Sequence, residues 1–243
     1  MLSKATIKFI KSLQVKKYRK QEQCFVVEGS KSVLELLASD FEIVTVLGTP
    51  EFLSGLKGSV KGEVIEVTEK VLESLGEFRT NGSALAVARL KSNIPVRPTS
   101  SEFALVLDEI HDPGNLGTII RTADWYGIQK IIASEETADF YNPKVISATM
   151  GSFTRVQVFY TELAGYLSGA DVPVYGAFLE GQDVHKVSFA RGGMILIGSE
   201  SHGISPALMP LVTEKITIPR YGKAESLNAA IATAIICDNI RRQ

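Results

Sequence analysis

The residues best placed to do chemistry lie near the C-terminus, in Ile216 to Ile236, ITIPRYGKAESLNAAIATAII. Its first residues alternate β-branched types and stop at Pro219, which predicts a short strand that cannot continue. Arg220 to Glu225 follow as a polar loop with one glycine. Ser226 is a favourable N-cap, and Leu227, Ala230, Ile231, Ala234 and Ile235 recur at helical spacing behind it, predicting a helix that starts there. A helix N-terminus offers unpaired N–H groups and the positive end of a dipole, which suit the carboxylate, ribose or phosphate oxygens of a ligand. Capping alone would equally account for Ser226, with Asn228 exposed in the first turn.

Two further stretches place glycines where a strand gives way to a loop: HDPGNLGTIIRTADWYG after Ala104 to Ile110, and GSESHGIS after Met194 to Ile197. Such glycines let backbone approach a ligand at the carboxyl edge of a parallel sheet. Neither stretch is a dinucleotide fingerprint, and Gly29-Ser30-Lys31-Ser32 lacks the earlier glycine of a nucleotide-hydrolysing P-loop. The first loop also lacks the G-x-G spacing of a Rossmann-type methyltransferase, and Asn142-Pro143-Lys144 is not the NPPY-like tetrapeptide of an amino-methylating enzyme. His111, His185 and His202 have no metal-ligand spacing, so no metal is expected. Cys24 and Cys237 are far apart, each inside an apolar pattern, and read as buried thiols.

The elements that must position these loops alternate along the chain. Residues 4–13 predict a helix with Ile7, Ile10 and Leu13 inward. Strands are expected at 24–27, 42–47, 64–67 and 84–90, with helices capped by Ser30 and Thr68, the second stopping at Gly76. Lys91 to Ser101, with two prolines and four Ser or Thr residues, is the best linker. Beyond it, strands at 104–110, 129–133, 156–159, 174–178 and 193–197 alternate with helices at 115–126, 143–149 and 162–167 and a short one from Ser205-Pro206 to Val212. Asn115 is a candidate cap, and Trp125 and Tyr126 are expected to pack against the sheet. The pattern is that of two α/β units, which 243 residues at 45% hydrophobic content can fill. No apolar run approaches the roughly 20 residues of a membrane span, and the lysine-bearing N-terminus lacks the apolar centre of a signal peptide, so a cytoplasmic chain without membrane contact is expected.

Together the three stretches resemble the SPOUT superfamily, specifically the SpoU (TrmH-like) RNA ribose 2′-O-methyltransferases. Asn115-Leu-Gly-x-x-x-Arg121 looks like their first motif, Gly198-Ser-Glu200-x-x-Gly203 like their second, and Ile218-Pro219 with Ser226-Leu227-Asn228 like their third. The resemblance implies an α/β fold: a SPOUT-type parallel sheet with a C-terminal trefoil knot, preceded by a smaller ribosomal-protein-like (L30e-like) α/β domain. Residues 1–91 then form an N-terminal RNA substrate-binding domain, 92–101 the linker and 102–243 the SpoU methyltransferase catalytic domain. A knot runs against the general rarity of threaded chains, and only the resemblance supports it. The resemblance also implies S-adenosylmethionine as cofactor, a site completed across a homodimer, and methyl transfer to a ribose 2′-hydroxyl of structured RNA, 23S-type rRNA rather than tRNA. An RNA-binding assembly factor without turnover and a base-methylating SPOUT enzyme are the alternatives.

Carried over by motif, Asn115, Arg121, Glu200, Ser226 and Asn228 are the catalytic candidates. Phe178, Leu179, Gly198, Glu200, Ile218, Ser226 and Leu227 are the cofactor-binding ones. Arg121 suits a clamp on the acceptor's phosphate and a stabiliser of developing alkoxide better than a base, since keeping a guanidinium neutral at pH 7 costs about 7 kcal/mol. Glu200 is expected to orient Arg121 and Asn115. The formal net charge is only -1, yet Lys4, Lys8, Lys11, Lys16, Lys17, Arg19 and Lys20 precede the first acidic residue, Glu22. Such a run can neutralise several phosphates. Lys11, Lys16, Lys17, Arg19, Lys20 and Arg155 are therefore the RNA-contacting candidates.

Overall fold

Apolar alternation and cap residues set most element boundaries in the computed structural model, which describes residues 2–77 and 82–242. The N-terminal part runs α1 (Lys4–Ser12), α2 (Lys16–Glu22), β1 (Cys24–Glu28), α3 (Ser30–Leu37), β2 (Ile43–Gly48), α4 (Pro50–Ser54), β3 (Glu63–Glu66), α5 (Glu69–Leu75) and β4 (Ala84–Arg89). Its strands form one mixed sheet in the order β1-β4-β2-β3, in which only β2 and β3 run parallel. Alternation along β1 sends Cys24 and Val26 into a core with Ile10, Leu13, Leu72, Leu75, Leu85 and Val87. Gly29, at φ +88°, caps α3 in place of the expected Ser30, which is its first residue. α2 was not expected from periodicity, because its buried residue is Arg19 rather than an apolar one.

The rest of the chain runs β5 (Phe103–Leu107), α6 (Pro113–Trp125), β6 (Lys130–Ala133), α7 (Pro143–Thr149), β7 (Gln157–Tyr160), α8 (Leu163–Ser168), β8 (Val174–Asp183), β9 (Gly193–Ile197), β10 (Glu214–Thr217) and α9 (Ala229–Arg241). These strands make an all-parallel sheet in the order β10-β8-β9-β5-β6-β7. β5 and β9 are buried throughout, as strands covered on both faces must be. The chain leaves β5 toward β6 and β7 and returns to place β8 and β9 on the other side of β5. The gap between β5 and β9 is thus the switch point where α/β sheets bind ligands. No helix forms from Ser205-Pro206; a single 3-10 turn at Met209–Leu211 replaces it.

By packing, the chain forms two units, one of the described residues up to 92 together with 139–154, the other of 93–138 with 155 onward. The segment 139–154, although beyond the linker in sequence, completes the first unit. There Phe25 meets Tyr141 at 4.7 Å and Phe153 at 6.1 Å between ring centroids, on the face of β1 opposite Cys24 and Val26. Beside them Arg19, 2% exposed, donates to the carbonyls of Leu13 and Gln14 and pairs with Asp139 at 2.7 Å. Both cysteines are buried as expected, and burial pushes the Cys237 thiol up to about 12. We expect Asp139→Ala to lower unfolding stability by about 3 kcal/mol, because it strands a buried guanidinium. Circular dichroism in urea checks this; a loss under about 1 kcal/mol, the size of a surface ion pair, would show the pair to be dispensable.

Candidate active site

At the end of β5 the chain turns sharply. Asp108, 3% exposed, accepts hydrogen bonds from the backbone N–H and the hydroxyl of Ser205, both at 2.7 Å, so the loop after β9 is tied to the end of β5. Glu109 then adopts φ +57°, and Asp112 caps α6 by accepting from the Asn115 N–H at 2.7 Å, with Pro113 in the first turn. Asp112, not Asn115, is therefore the cap, and the Asn115 side chain is left for another task.

Its task is to bridge. Asn115 Nδ2 donates to Glu200 Oε1 at 2.6 Å, and Asn115 Oδ1 accepts from Asn228 Nδ2 at 2.8 Å. Asn228 Oδ1 in turn accepts from the N–H groups of Ala230 and Ile231, so Asn228 is the N-cap of α9. The helix starts later than the sequence pattern suggests; Ser226 lies before it, exposed, and caps nothing. The buried stripe is accordingly Ala229, Ala230, Thr233, Ile236, Cys237 and Ile240, while Ile231 and Leu227 face outward.

Glu200 sits at the tip of a tight loop. Ser199 and Gly203 exchange backbone hydrogen bonds at 3.0 and 2.9 Å, with Gly203 at φ +73°. A Cβ on Gly198 would lie 2.2 Å from the Gly203 carbonyl carbon, so no other residue fits there. His202 lies on the same loop, its Nε2 3.4 Å from Glu109 Oε2 and its Nδ1 2.9 Å from the Ser201 hydroxyl.

The structure thus unites Asn115, Glu200 and Asn228 but leaves Arg121 apart. Arg121 lies six residues along α6 from Asn115, is exposed, and makes no hydrogen bond or ion pair among the described residues; Glu200 orients Asn115, not Arg121. Trp125, one turn further on, is 84% exposed instead of packing on the sheet. Among the RNA candidates, Lys11, Lys16, Lys17 and Lys20 are exposed, whereas Arg19 is buried in its own unit and cannot grip a ligand, because it is shut off from solvent with both terminal nitrogens bonded to carbonyls and Asp139. Arg155 is held by Asp124, Nε at 3.0 and 3.2 Å and Nη2 at 2.9 Å from the carboxylate.

Between β8 and β10 the register jumps: Gly176 pairs with Lys215 and Gln182 with Ile216, so residues 177–181 bow out of the ladder. That excursion carries Phe178, over which Lys215 Nζ lies at 5.1 Å, and Leu179, 75% exposed. Phe178 and Gly198 each stand two residues beyond the last β8–β9 pair, Gly176 with Leu196. Ile218 follows β10 directly, and Leu227 precedes the α9 cap with its side chain half exposed. The exposed apolar side chains of Leu179 and Leu227, with a backbone cradle at Gly198 where a Cβ cannot fit, suit the adenosine of a nucleoside cofactor. Sequence reasoning missed Asp108, Ser205 and Asp112; the Asp112-Pro113 pair, a cap followed by proline at the first helical position, was the available signal.

Polar side chains gathered at the carboxyl ends of parallel strands define an α/β ligand-binding domain. Residues 102–238 match the SpoU rRNA Methylase family, and residues 4–86 match the MRM3-like substrate binding domain. The chain belongs to the SpoU methylase family. RlmP of Bacillus subtilis, a 23S rRNA (guanosine(2553)-2′-O)-methyltransferase, is 30% identical over 241 residues, 97% of this chain and 95% of its own. A TrmH-family chain from Porphyromonas gingivalis is 38% identical and superposes over the whole of both chains with a TM-score of 0.90. The AdoMet-bound rRNA methyltransferase of Sinorhizobium meliloti is 31% identical and superposes with a TM-score of 0.89 over 100% of this chain and 96% of its own. Among the described residues no helix is long and apolar enough to cross a membrane, and no three His, Cys, Asp or Glu side chains are grouped to hold a metal.

We expect Asn228→Ala to cost about 1 kcal/mol of stability, and Ser226→Ala less than about 0.5 kcal/mol. Thermal unfolding of the two variants side by side checks it; the reverse order would return the cap to Ser226.

Proposed function

We propose that this chain is an S-adenosylmethionine-dependent RNA methyltransferase acting on a ribose 2′-hydroxyl of structured ribosomal RNA, in the cytoplasm. The observation that carries the proposal is the Asn115 amide joined to both Glu200 and Asn228, one residue from each of three distant motifs. The 23S rRNA specificity of RlmP, similar over nearly the whole chain, favours ribosomal over transfer RNA. Phe178, Leu179, Gly198, Ile218, Ser226 and Leu227 would hold the cofactor, which when bound supplies an electrophilic methyl group and leaves with the carbon–sulfur electron pair. The C-terminal segment is threaded as a trefoil knot, which the packing of α9 on α6 accommodates. The first unit is an L30e-like domain that grips RNA through Lys11, Lys16, Lys17 and Lys20.

The protein's contribution is positioning and charge. Asn115 and Asn228 fix the edge against which the acceptor ribose rests, and Glu200 fixes Asn115. Arg121 clamps the acceptor phosphate and stabilises negative charge growing on the 2′-oxygen as its proton departs. Because Arg121 is unengaged and on another azimuth of α6, it acts on the site of a second copy, making the enzyme a homodimer completed across its interface.

Labelled methyl from S-adenosylmethionine should enter bulk rRNA and be recovered after digestion as 2′-O-methylnucleosides. Arg121→Ala should lower kcat/KM by about 100-fold or more, in line with loss of a transition-state donor, while cofactor affinity is kept. Label recovered in a base would replace this reading with base methylation, and no transfer with an assembly factor. Changing Lys16, Lys17 and Lys20 together to Gln should flatten the slope of log affinity against log salt by about 2 to 3. An unchanged slope would make the run a solvated surface.

A further inference from the structure

Between Pro219 and Asn228 the chain leaves the sheet and returns to the site through a loop, RYGKAESL, whose last two residues are cofactor candidates and whose first six have no role in the proposed function. Tyr221 within it is 95% exposed, the most open of the large hydrophobic side chains that the structure leaves in water. Burying an aromatic ring is ordinarily favourable, so a ring held clear of every neighbour leaves stacking surface on both faces. Arg220 stands immediately before it and Lys223 two residues after, both exposed, against one carboxylate at Glu225. Arg220 spends one donor inside the loop, Nη1 to the Ala224 carbonyl at 3.3 Å, which bends the loop and leaves its remaining N–H groups free to point outward.

Both ends of the loop are anchored at the proposed site. It starts from Ile218-Pro219, directly after β10, and ends at Asn228, whose amide donates to Asn115. An aromatic face between two cations is the composition that binds single-stranded nucleic acid, the ring stacking on a base and the cations on the adjoining phosphates. Resting on the function proposed above, we propose that Tyr221 is a substrate-positioning residue that stacks on an unpaired base of the RNA beside the acceptor ribose, with Arg220 and Lys223 on the flanking phosphates. Stacking tolerates any base, so this loop contributes affinity and placement of an unstacked nucleotide rather than base identity.

The test uses the full chain and two probes. The first is methyl transfer into total rRNA from cells lacking the protein. The second is anisotropy of labelled oligoadenylate, against an abasic ribose-phosphate strand, each of about 12 nucleotides, within the span one binding surface covers. Tyr221→Ala should raise the KM for rRNA about tenfold with kcat and cofactor affinity kept, and weaken oligoadenylate but not abasic binding, as loss of one stack requires. Tyr221→Phe should restore both. Lys223→Gln should instead act on both strands and reduce the salt slope by about 0.7. The inference is overturned if Tyr221→Ala matches the wild type on both probes or if Phe behaves as Ala does. It is also overturned if Tyr221→Ala acts through cofactor affinity or mass in solution, which would place the ring on the cofactor or on a second copy. If the wild type transfers no methyl group, the proposed function fails, and the two oligonucleotides still decide whether Tyr221 stacks.

Discussion

One side-chain amide governs the site. A carboxylate can only accept, so the group of Asn115 that faces Glu200 must be its NH2, and its carbonyl oxygen must face the other way. That oxygen takes a hydrogen from Asn228, whose own oxygen is thereby turned toward the first N–H groups of α9. All donors in the line point toward Glu200. The positive end of a helix is thus connected through two amides to one carboxylate, an aligned series in which each bond polarises the next. Aspartate at 115 would set two carboxylates together, and leucine, close in size, would leave both ends without partners.

Such a line needs rigid supports, and the backbone supplies them. Asp112 takes over the capping of α6, without which the Asn115 side chain would be drawn to its own helix. The Ser199–Gly203 bridge holds Glu200 at a loop tip, and the buried Asp108 carboxylate fastens the far side of that loop through Ser205. The Asp108 bonds are charge-assisted and removed from water, hence stronger than those at the exposed amides. The design places its firm contacts one layer beneath the polar edge and leaves the edge itself open to a substrate.

How much of this could be read from the sequence depended on the kind of constraint. Strand β9 and helix α7 have the predicted limits because uniform apolar character and a proline next to Asn142 mark them locally. The grouping of Asn115, Glu200 and Asn228 was legible only through motif resemblance, since contacts across 85 and 113 residues leave no periodic trace. The sequence pattern starts α9 at Ser226 because serine and asparagine are comparable caps, whereas the structure gives the cap to Asn228, the residue that also reaches Asn115. Residues 139–154 could not be assigned to the first unit at all: their aromatic contacts to Phe25 form across the linker, where local pattern is blind. Trp125 was expected inside because large rings usually are, and nothing local says which helix faces remain uncovered.

The basic run at the N-terminus shows how residue type alone separates architecture from recognition. It contains six lysines and one arginine before Glu22, and the arginine is the buried one. A planar guanidinium has five donors in fixed directions and can satisfy two carbonyls and a carboxylate at once, which Arg19 does with Leu13, Gln14 and Asp139. An ammonium group, compact and strongly hydrated, would lose more on burial and match that geometry poorly. Lysine at the neighbouring positions keeps charge in water on flexible stems, suited to phosphates whose positions vary. Even so, Arg19 Nε is buried without a partner, so the arrangement is not fully satisfied. The cost is offset because a single side chain ties the α1–α2 turn to the segment at 139, which no local hydrogen bond could do.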